Sequence, residues 1–352
     1  MLEWGMESGN TIILALEASR IPPGAVDRIR AAGGGREVLV RSGKAEIESA
    51  LDRAEIVAGD FPASLLAAAP RLKWFQAWYA GTDWLQKMPE TKELPFLLTS
   101  ASGVHGEQMT EHLFGLLFAW NRKFPRAFAA QSRREWADFK HSEMSTLAGK
   151  TMLILGYGTI GERFGRAAEA FGMHVIGVRR TAGSAAAASA AAASAAAASA
   201  AAASAAAAVT ASGPRVIALA DLSSALAEAD VVVNILPLTP ETRNFYDAVF
   251  FARMKREALF ANMGRGGSVD EDALADALKS GTIAGALLDV TATEPLPPAS
   301  PLWELPNLIL TSHYSGFHPH YDEMVLEIFL DNLGRYGRGE DLRNVVDKRL
   351  GY

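Results

Sequence analysis

The stretch TMLILGYGTIGERFGRAAEAFG, residues 151 to 172, decides the fold of its region. A short apolar run precedes Gly156, Gly158 and Gly161 in G-x-G-x-x-G spacing, and a helical pattern follows. In such a unit the first glycine permits a tight turn, the second lets the backbone approach a pyrophosphate, and the third lets the helix pack closely on the strand. The N–H groups at the helix start favour phosphate charge. The stretch predicts a dinucleotide-binding turn, with a purely structural turn as the alternative.

Two arginines end the next predicted strand. The run His174 to Val178 is followed by Arg179, Arg180 and Thr181, at the position where folds that select NAD usually place an Asp or Glu. Guanidinium groups can bind a phosphate through paired hydrogen bonds. The sequence therefore favours NADP(H), with NAD(H) as the other cofactor. A solvated surface pair of arginines is the alternative without a binding role.

Short apolar runs alternate with helical patterns along most of the chain, which predicts an α/β fold with mostly parallel sheets. The alternation starts afresh after Leu147, so we place a domain boundary near residue 122. The predicted strands are 11–16, 37–40, 56–57, 72–77, 151–155, 175–178, 231–236, 259–262, 286–290 and 308–311, and the predicted helices include 25–32, 106–121 and 322–336.

Composition excludes several classes of protein. The 352 residues carry a net charge of −6 without a long basic run, so we expect no nucleic-acid partner. There are no cysteines, which removes disulfides and thiolate sites and fits a reducing compartment. The N-terminus lacks the pattern of a signal peptide, and outside the alanine-rich repeat no apolar run is long enough to cross a membrane. We expect a cytoplasmic protein that binds no membrane.

Four further blocks follow in order after the glycine turn. They are LPLTPETR at 236–243, NMGRGGSVD at 262–270, ALLDV at 286–290 with EPLP at 294–297, and LTSHYSG at 310–316. Together with the glycine turn, this set resembles the D-isomer-specific 2-hydroxyacid dehydrogenases, a family that includes glyoxylate/hydroxypyruvate reductases and phosphoglycerate dehydrogenases. Four ordered motifs are far more specific than the glycine pattern alone.

The resemblance implies two doubly wound parallel-sheet domains with the active site in the cleft between them. A flavodoxin-like substrate domain would comprise residues 1–122 plus 318–352, and a Rossmann coenzyme domain residues 123–317. The family commonly forms homodimers through its coenzyme domain, and Trp136 is a candidate residue of the dimerisation arm.

By the same resemblance, three residues match the family's catalytic arginine, histidine and glutamate. Arg265 would bind the substrate carboxylate and polarise the carbonyl, which combines positioning with electrostatic stabilisation. His313 would exchange the proton of the hydroxyl group, and Glu294 would orient the imidazole and favour its charged form. The implied reaction interconverts a small 2-keto acid and a D-2-hydroxy acid by hydride transfer. Singly, each residue has a structural explanation.

The resemblance also implies residues that contact the ligands. In the loop Tyr79 to Asp83, the N–H groups of Ala80 and Gly81 would bind the substrate carboxylate, with a structural glycine turn as the alternative. Aromatic residues that could line the pocket are Tyr79, Trp84, Trp136 and Tyr314. Predicted cofactor contacts are Gly156, Tyr157, Gly158, Thr159, Ile160, Gly161, Arg179, Arg180, Thr181, Leu236, Pro237, Thr242, Met263, Asp289 and Gly316.

Other interpretations remain open. A cofactor-sensing binding protein, like the corepressors that share the fold, is the main alternative; a formate dehydrogenase would lack the acidic partner of the histidine. Ser312 stands where the family often has proline, so the backbone there can differ. His318 and His320 lack a convincing set of carboxylates, and we expect no metal.

Residues 184–208 are five units of Ser-Ala-Ala-Ala-Ala. Alanine is the best helix former, but a five-residue period does not match 3.6 residues per turn, so the serines define no face. The run reads as an inserted linker, a slippage expansion or a stand-in for unidentified residues. We expect it to project into solvent and to spare the fold.

Overall fold

A computed structural model describes residues 10–180 and 213–351. The chain divides into two compact units, Met1–Val104 with Phe317–Tyr352, and His105–Gly316. The division falls one helix before the predicted boundary near 122. Met109, Leu113 and Leu117 of the intervening helix are buried in the core of the second unit, and this packing assigns the helix to that unit. The repeat 184–208 and Thr181 lie outside the described residues.

The first unit contains a five-stranded parallel sheet of strand order β2-β1-β3-β4-β5, the flavodoxin-like order. Alternate residues of β1 enter different cores: Ile12 and Leu14 on one face, Ile13 and Ala15 on the other. Burial on both faces explains why the strands read as continuous apolar runs. The strands are β1 Thr11–Ala15, β2 Glu37–Val40, β3 Ala54–Gly59, β4 Trp74–Ala77 and β5 Leu97–Thr99.

Helices cover this sheet, and the last one returns from the C-terminal part of the chain. The long C-terminal helix buries Val325 and Phe329 against Trp74, whose ring centroid lies 5.3 Å from that of Phe329. A polar network strengthens the contact, since Asn332 Nδ2 donates to Gln76 Oε1 at 3.3 Å. The helices are α1 Ala25–Ala32, α2 Lys44–Glu48, α3 Trp84–Lys87 and, after the second unit, α10 Tyr321–Arg338.

The second unit contains a seven-stranded parallel sheet of order β12-β11-β10-β9-β6-β7-β8. Strand β6 lies between β7 and β9, so the order reverses there, and ligands of doubly wound folds bind beyond the carboxyl ends of strands at such a point. The strands are β6 Thr151–Leu155, β7 His174–Arg179, β8 Arg215–Ala218, β9 Val231–Asn234, β10 Leu259–Asn262, β11 Gly285–Leu288 and β12 Leu308–Leu310.

The faces of this sheet bury two separate cores. Met152 and Ile154 of β6 point to one core, and Leu153 and Leu155 point to the other. The helices are α4 Gly106–Asn121, α5 Phe124–Ser132, α6 Thr159–Ala170, α7 Leu222–Glu228, α8 Ala248–Ala252 and α9 Glu271–Ser280. Among the described residues, no helix is long and apolar enough to span a membrane.

Candidate functional site

The glycine turn between β6 and α6 has the geometry that the sequence predicts. Gly156 has φ +98°, and a Cβ there would lie 2.9 Å from the Ile235 carbonyl oxygen. A Cβ on Gly161 would lie 2.6 Å from the Gly156 carbonyl oxygen, so only glycine lets α6 approach the turn this closely. Gly158 differs, because a Cβ there would meet no atom within 4 Å. The open side of Gly158, at the start of α6, leaves backbone accessible to a pyrophosphate.

Tyr157 enters the core although it stands inside the glycine motif. Its side chain is only 4% exposed, and its ring fills the space above Gly177, where a Cβ would lie 2.3 Å from the Tyr157 Cγ atom. Burial raises the pKa of the Tyr157 hydroxyl to about 12. The Tyr157 N–H donates to the Val178 carbonyl at 3.0 Å. Tyr157 thus ties the turn to β7 by both its backbone and its side chain.

The two arginines at the end of β7 differ in environment. Arg179 is 12% exposed; its Nη2 pairs with Glu162 Oε1, and its Nε donates to the Tyr157 carbonyl at 2.7 Å. Arg180 is exposed. A hydrogen bond with Thr239, and to a smaller extent the charge of Arg180, lower the pKa of the Glu241 carboxyl. Of the two predicted arginines, Arg179 therefore forms an ion pair that holds the fold, and Arg180 lies on the surface.

Loops after β9 and β10 converge beside the glycine turn. The side chain of Asn234, fully buried at the end of β9, accepts from the Leu236 N–H at 2.9 Å and donates to Asn262 Oδ1 at 2.8 Å. The Thr242 hydroxyl donates to the Pro237 carbonyl at 2.7 Å, and this hydrogen bond joins the two ends of the segment 237–242. Buried amides thus hold the predicted cofactor segments 236–242 and 262–264 in one arrangement; Met263 itself is 2% exposed.

Arg265 follows β10 in a loop that approaches other backbone closely. A Cβ on Gly266 would lie 1.9 Å from the Thr291 carbonyl carbon, so this position accepts only glycine. Ser268 Oγ donates to the Arg265 carbonyl at 2.6 Å, and Asn262 Nδ2 donates to the same carbonyl at 3.2 Å. Two side-chain donors therefore hold the backbone of Arg265 at its carbonyl.

His313 and Glu294 form a direct pair. The His313 Nδ1 and Glu294 Oε2 atoms lie 2.7 Å apart, and the two side chains are 47% and 38% exposed. The other oxygen of Glu294 accepts from the Thr291 N–H at 3.1 Å, which fixes the carboxylate. With Nδ1 directed to a carboxylate, Nε2 is the nitrogen that can exchange a proton with a ligand.

Asp289 organises the loop that carries His313. This carboxylate is 1% exposed and accepts from the Thr311 hydroxyl at 2.6 Å and the Ser315 N–H at 3.1 Å. Burial alone would raise the pKa of Asp289, but the hydrogen bonds from Ser315 and Thr311 outweigh it and lower that pKa. The Asp289 carbonyl also accepts from the His313 N–H at 2.7 Å. We predicted Asp289 as a cofactor contact, and in the structure its oxygens hold the loop.

Sequence reasoning missed three residues of this site, His105, Gln108 and His112, which lie at and just after the start of α4. Gln108 Nε2 donates to the Gly316 carbonyl at 3.1 Å, and a Cβ on Gly316 would lie 2.6 Å from His105 Cδ2. Burial, with the nearby charges of Arg265 and His313, lowers the pKa of His105 to about 4. The three recur at i, i+3 and i+7, a spacing that places them on one helix face and could have been noticed.

Other predicted residues have separate locations. Ala80 and Gly81 lie in the first unit, in the loop after β4, and their role toward substrate stays a prediction. Trp84 packs against Phe75 of the same unit, with ring centroids 6.4 Å apart. Trp136 is 94% exposed. The rings of His318 and His320 lie tilted to each other, with centroids 5.7 Å apart. No group of three potential metal ligands occurs among residues 10–180 and 213–351.

Comparison with known proteins identifies the family. The model of the D-isomer specific 2-hydroxyacid dehydrogenase NAD binding domain matches residues 114–214 and 181–315. The glycerate dehydrogenase of Methylorubrum extorquens is 31% identical over 292 residues, which are 81% of this chain and 82% of that protein. The chain belongs to the D-isomer specific 2-hydroxyacid dehydrogenases. It is thus an NAD(P)-dependent oxidoreductase, as the motifs indicate.

Two solved members of the family resemble the structure over nearly their whole length. A D-isomer specific 2-hydroxyacid dehydrogenase from Xanthobacter autotrophicus, in complex with NADPH and MES, has a TM-score of 0.77 at 28% identity and covers 98% of this chain and 100% of its own. An NADPH-dependent glyoxylate/hydroxypyruvate reductase from Sinorhizobium meliloti, in complex with NADP and sulfate, has a TM-score of 0.75 at 27% identity, covering 97% and 100%. The predicted fold class is confirmed.

Proposed function

We propose that this dehydrogenase reduces small 2-keto acids to D-2-hydroxy acids, with NADPH as its preferred reductant. The observation that carries the proposal is the pair between His313 Nδ1 and Glu294 Oε2, at 2.7 Å, in a loop held by Asp289. A hydride acceptor that becomes an alkoxide needs a proton donor, and a carboxylate-paired imidazole is well suited to that task.

Each group has one task in this reaction. A bound nicotinamide dinucleotide would supply the hydride. His313 Nε2 holds the proton that the carbonyl oxygen receives, while Glu294 orients the ring and balances its charge. Arg265 binds the carboxylate of the 2-keto acid and stabilises the negative charge that develops on the carbonyl oxygen. In the reverse direction, His313 accepts the proton.

The preference for NADPH rests on Arg180. The side chain of Arg179 is only 12% exposed and holds the glycine turn through Glu162 and the Tyr157 carbonyl, whereas Arg180 follows β7 on the exposed surface, where a ligand can reach it. Ribose groups bind near this end in dinucleotide folds, and an arginine there accommodates a 2′-phosphate. The two solved relatives contain NADPH and NADP, which supports the same preference.

The proposal of small keto acids as substrates is supported by the activities for which two relatives are named. One relative is named a glycerate dehydrogenase and another a glyoxylate/hydroxypyruvate reductase. The pair of His313 with Glu294 favours an enzyme over a cofactor-sensing protein, since a protein that only binds a cofactor does not require an acid–base histidine paired with a carboxylate. We also propose a homodimer, supported by the 94% exposure of the large apolar Trp136 side chain.

Oxidation of NADPH and of NADH, followed separately with glyoxylate, hydroxypyruvate and phenylpyruvate, tests the proposal. We expect turnover with NADPH preferred, and a loss of about 10²–10⁴-fold in kcat for His313→Asn. His174→Asn is the matched control, because His174 is exposed at the opposite end of the same sheet. Turnover that survives in His313→Asn would refute the assigned role, and absence of turnover in protein that binds cofactor would refute the enzyme.

A further inference from the structure

The first two turns of α4 pack on the loop that carries His313. His112 Nε2 lies 3.0 Å from the Thr311 hydroxyl oxygen and 3.6 Å from Asp289 Oδ1. One turn earlier, Gln108 donates to the Gly316 carbonyl. The His112 ring also meets the Tyr314 ring edge to face, with centroids 5.1 Å apart. The helix therefore contacts the loop on both sides of His313.

This loop contains a backbone conformation that needs support. His313 has φ +56°, a value in the left-handed region that residues other than glycine rarely adopt. Such a conformation persists only where the surrounding structure holds it. Asp289 provides part of the support, because its carbonyl accepts from the His313 N–H and its side chain accepts from Thr311 and Ser315.

The direction of the hydrogen bonds follows from the number of protons. The Thr311 hydroxyl has one hydrogen, and the buried carboxylate of Asp289, 2.6 Å away, is the stronger acceptor. The hydroxyl oxygen must then accept from His112 Nε2, so His112 carries its proton on Nε2. His112, Thr311 and Asp289 form a chain in which the imidazole is the outer donor.

We propose that His112 is a positioning residue for the reaction, acting through Thr311 and Asp289 on the backbone of His313. It holds the imidazole of His313 at the angle that keeps Nδ1 on Glu294 and Nε2 toward the substrate. This inference rests on the proposed function, because it concerns the geometry of the same proton donor. The packing of His112 on Tyr314 is a separate contribution, and substitutions can separate the two.

Four variants distinguish the hydrogen bond of His112 to Thr311 from the packing of its ring on Tyr314. His112→Gln retains an N–H donor at a similar reach, and His112→Phe retains the ring contact with Tyr314 but has no donor. His112→Glu has a similar size, accepts only, and faces Asp289 with a like charge. Thr311→Val removes the hydroxyl that links His112 to Asp289 while preserving the shape of the side chain. His174→Phe is the matched control on the exposed end of β7.

The first test is steady-state kinetics of the full chain with NADPH and the best keto acid. We expect His112→Phe and Thr311→Val to lower kcat by about 10–100-fold with little change in KM, since small misplacements of a reacting group cost up to about 10²-fold. His112→Gln restores most of the rate and His112→Glu does not. The double variant His112→Phe/Thr311→Val is no slower than the slower of its two single variants, because both changes interrupt the same hydrogen bonds. Equal rates in His112→Phe and the parent chain would overturn the proposal.

The second test does not depend on turnover. The NMR resonance of the hydrogen-bonded Nδ1–H proton of His313, assigned by its absence in His313→Asn, reports the pairing with Glu294 directly. We expect His112→Phe and Thr311→Val to move this resonance upfield because the hydrogen bond to Glu294 weakens, and His112→Gln and His174→Phe to leave it unchanged. An unchanged resonance in His112→Phe would overturn the proposal even if the parent chain proved inactive, whereas inactivity with the expected upfield change would count against the proposed function alone.

Discussion

Replacement of Arg180 by alanine separates reading of the 2′-phosphate from the stability of the fold. Its neighbour Arg179 is 12% exposed, pairs with Glu162 and donates to the Tyr157 carbonyl, while Arg180 is exposed. We therefore expect different effects when the two adjacent guanidinium groups are removed. Loss of Arg180 should weaken the binding of NADPH, and loss of Arg179 should lower the free energy of unfolding.

The magnitude follows from the exposure of the site. A hydrogen bond to a charged group contributes about 1.5–3 kcal/mol, and solvent screening at an exposed arginine places it at the lower end. Since about 1.4 kcal/mol is tenfold in affinity, Arg180→Ala should raise the KM for NADPH about tenfold and change the KM for NADH less than about twofold. Arg179→Ala leaves Glu162 without its cation and removes a guanidinium stacked 5.7 Å from the Tyr157 ring centroid, so we expect a loss of roughly 1–2 kcal/mol in unfolding free energy.

Initial rates with each cofactor and urea unfolding of both variants provide the measurements. Salt offers a further check, because the effect of Arg180 on NADPH should shrink as ionic strength rises. Equal changes in the KM values for NADPH and NADH in Arg180→Ala would refute the reasoning, as would an unfolding midpoint that falls as far as in Arg179→Ala.

Three other predictions follow from the geometry. Gly158→Ala should have the melting temperature of the parent chain but a lower affinity for the dinucleotide, measured by fluorescence titration, because a Cβ there would enter only the space proposed for the cofactor. Gly161→Ala should instead have a lower melting temperature, because its Cβ would lie 2.6 Å from the Gly156 carbonyl oxygen. Glu241→Gln removes a carboxylate near Arg180 and should lower the KM for NADPH about two- to threefold, with no change for NADH. His105, with its pKa lowered to about 4, binds its proton less readily in the folded chain than in the unfolded chain. The free energy of unfolding should therefore fall as pH drops from about 6.5 to 4, by at most about 1.4 kcal/mol per pH unit. Urea unfolding of His105→Gln should show a flatter pH dependence than the parent chain, and an equal slope in the two proteins would count against this prediction.

Much of the fold followed from local pattern. The strands at 37–40, 151–155 and 259–262 and the helix 106–121 have their predicted bounds, because buried parallel strands read as apolar runs and amphipathic helices repeat every 3.6 residues. Two strands escaped notice, β5 Leu97–Thr99 and β8 Arg215–Ala218. Each has only three or four residues, and those of β8 are partly exposed, so neither forms a distinct apolar run.

The sequence by itself determined the α/β class, the glycine turn and the ordered motifs with Arg265, Glu294 and His313. These depend on backbone sterics and on residue type at fixed spacing, which are local properties. Tertiary structure alone decided that Arg179 is committed to Glu162 while Arg180 is exposed, and that the polar face of α4 supports the His313 loop. Helical spacing shows which residues share a face, but only packing between elements distant in sequence determines what that face contacts.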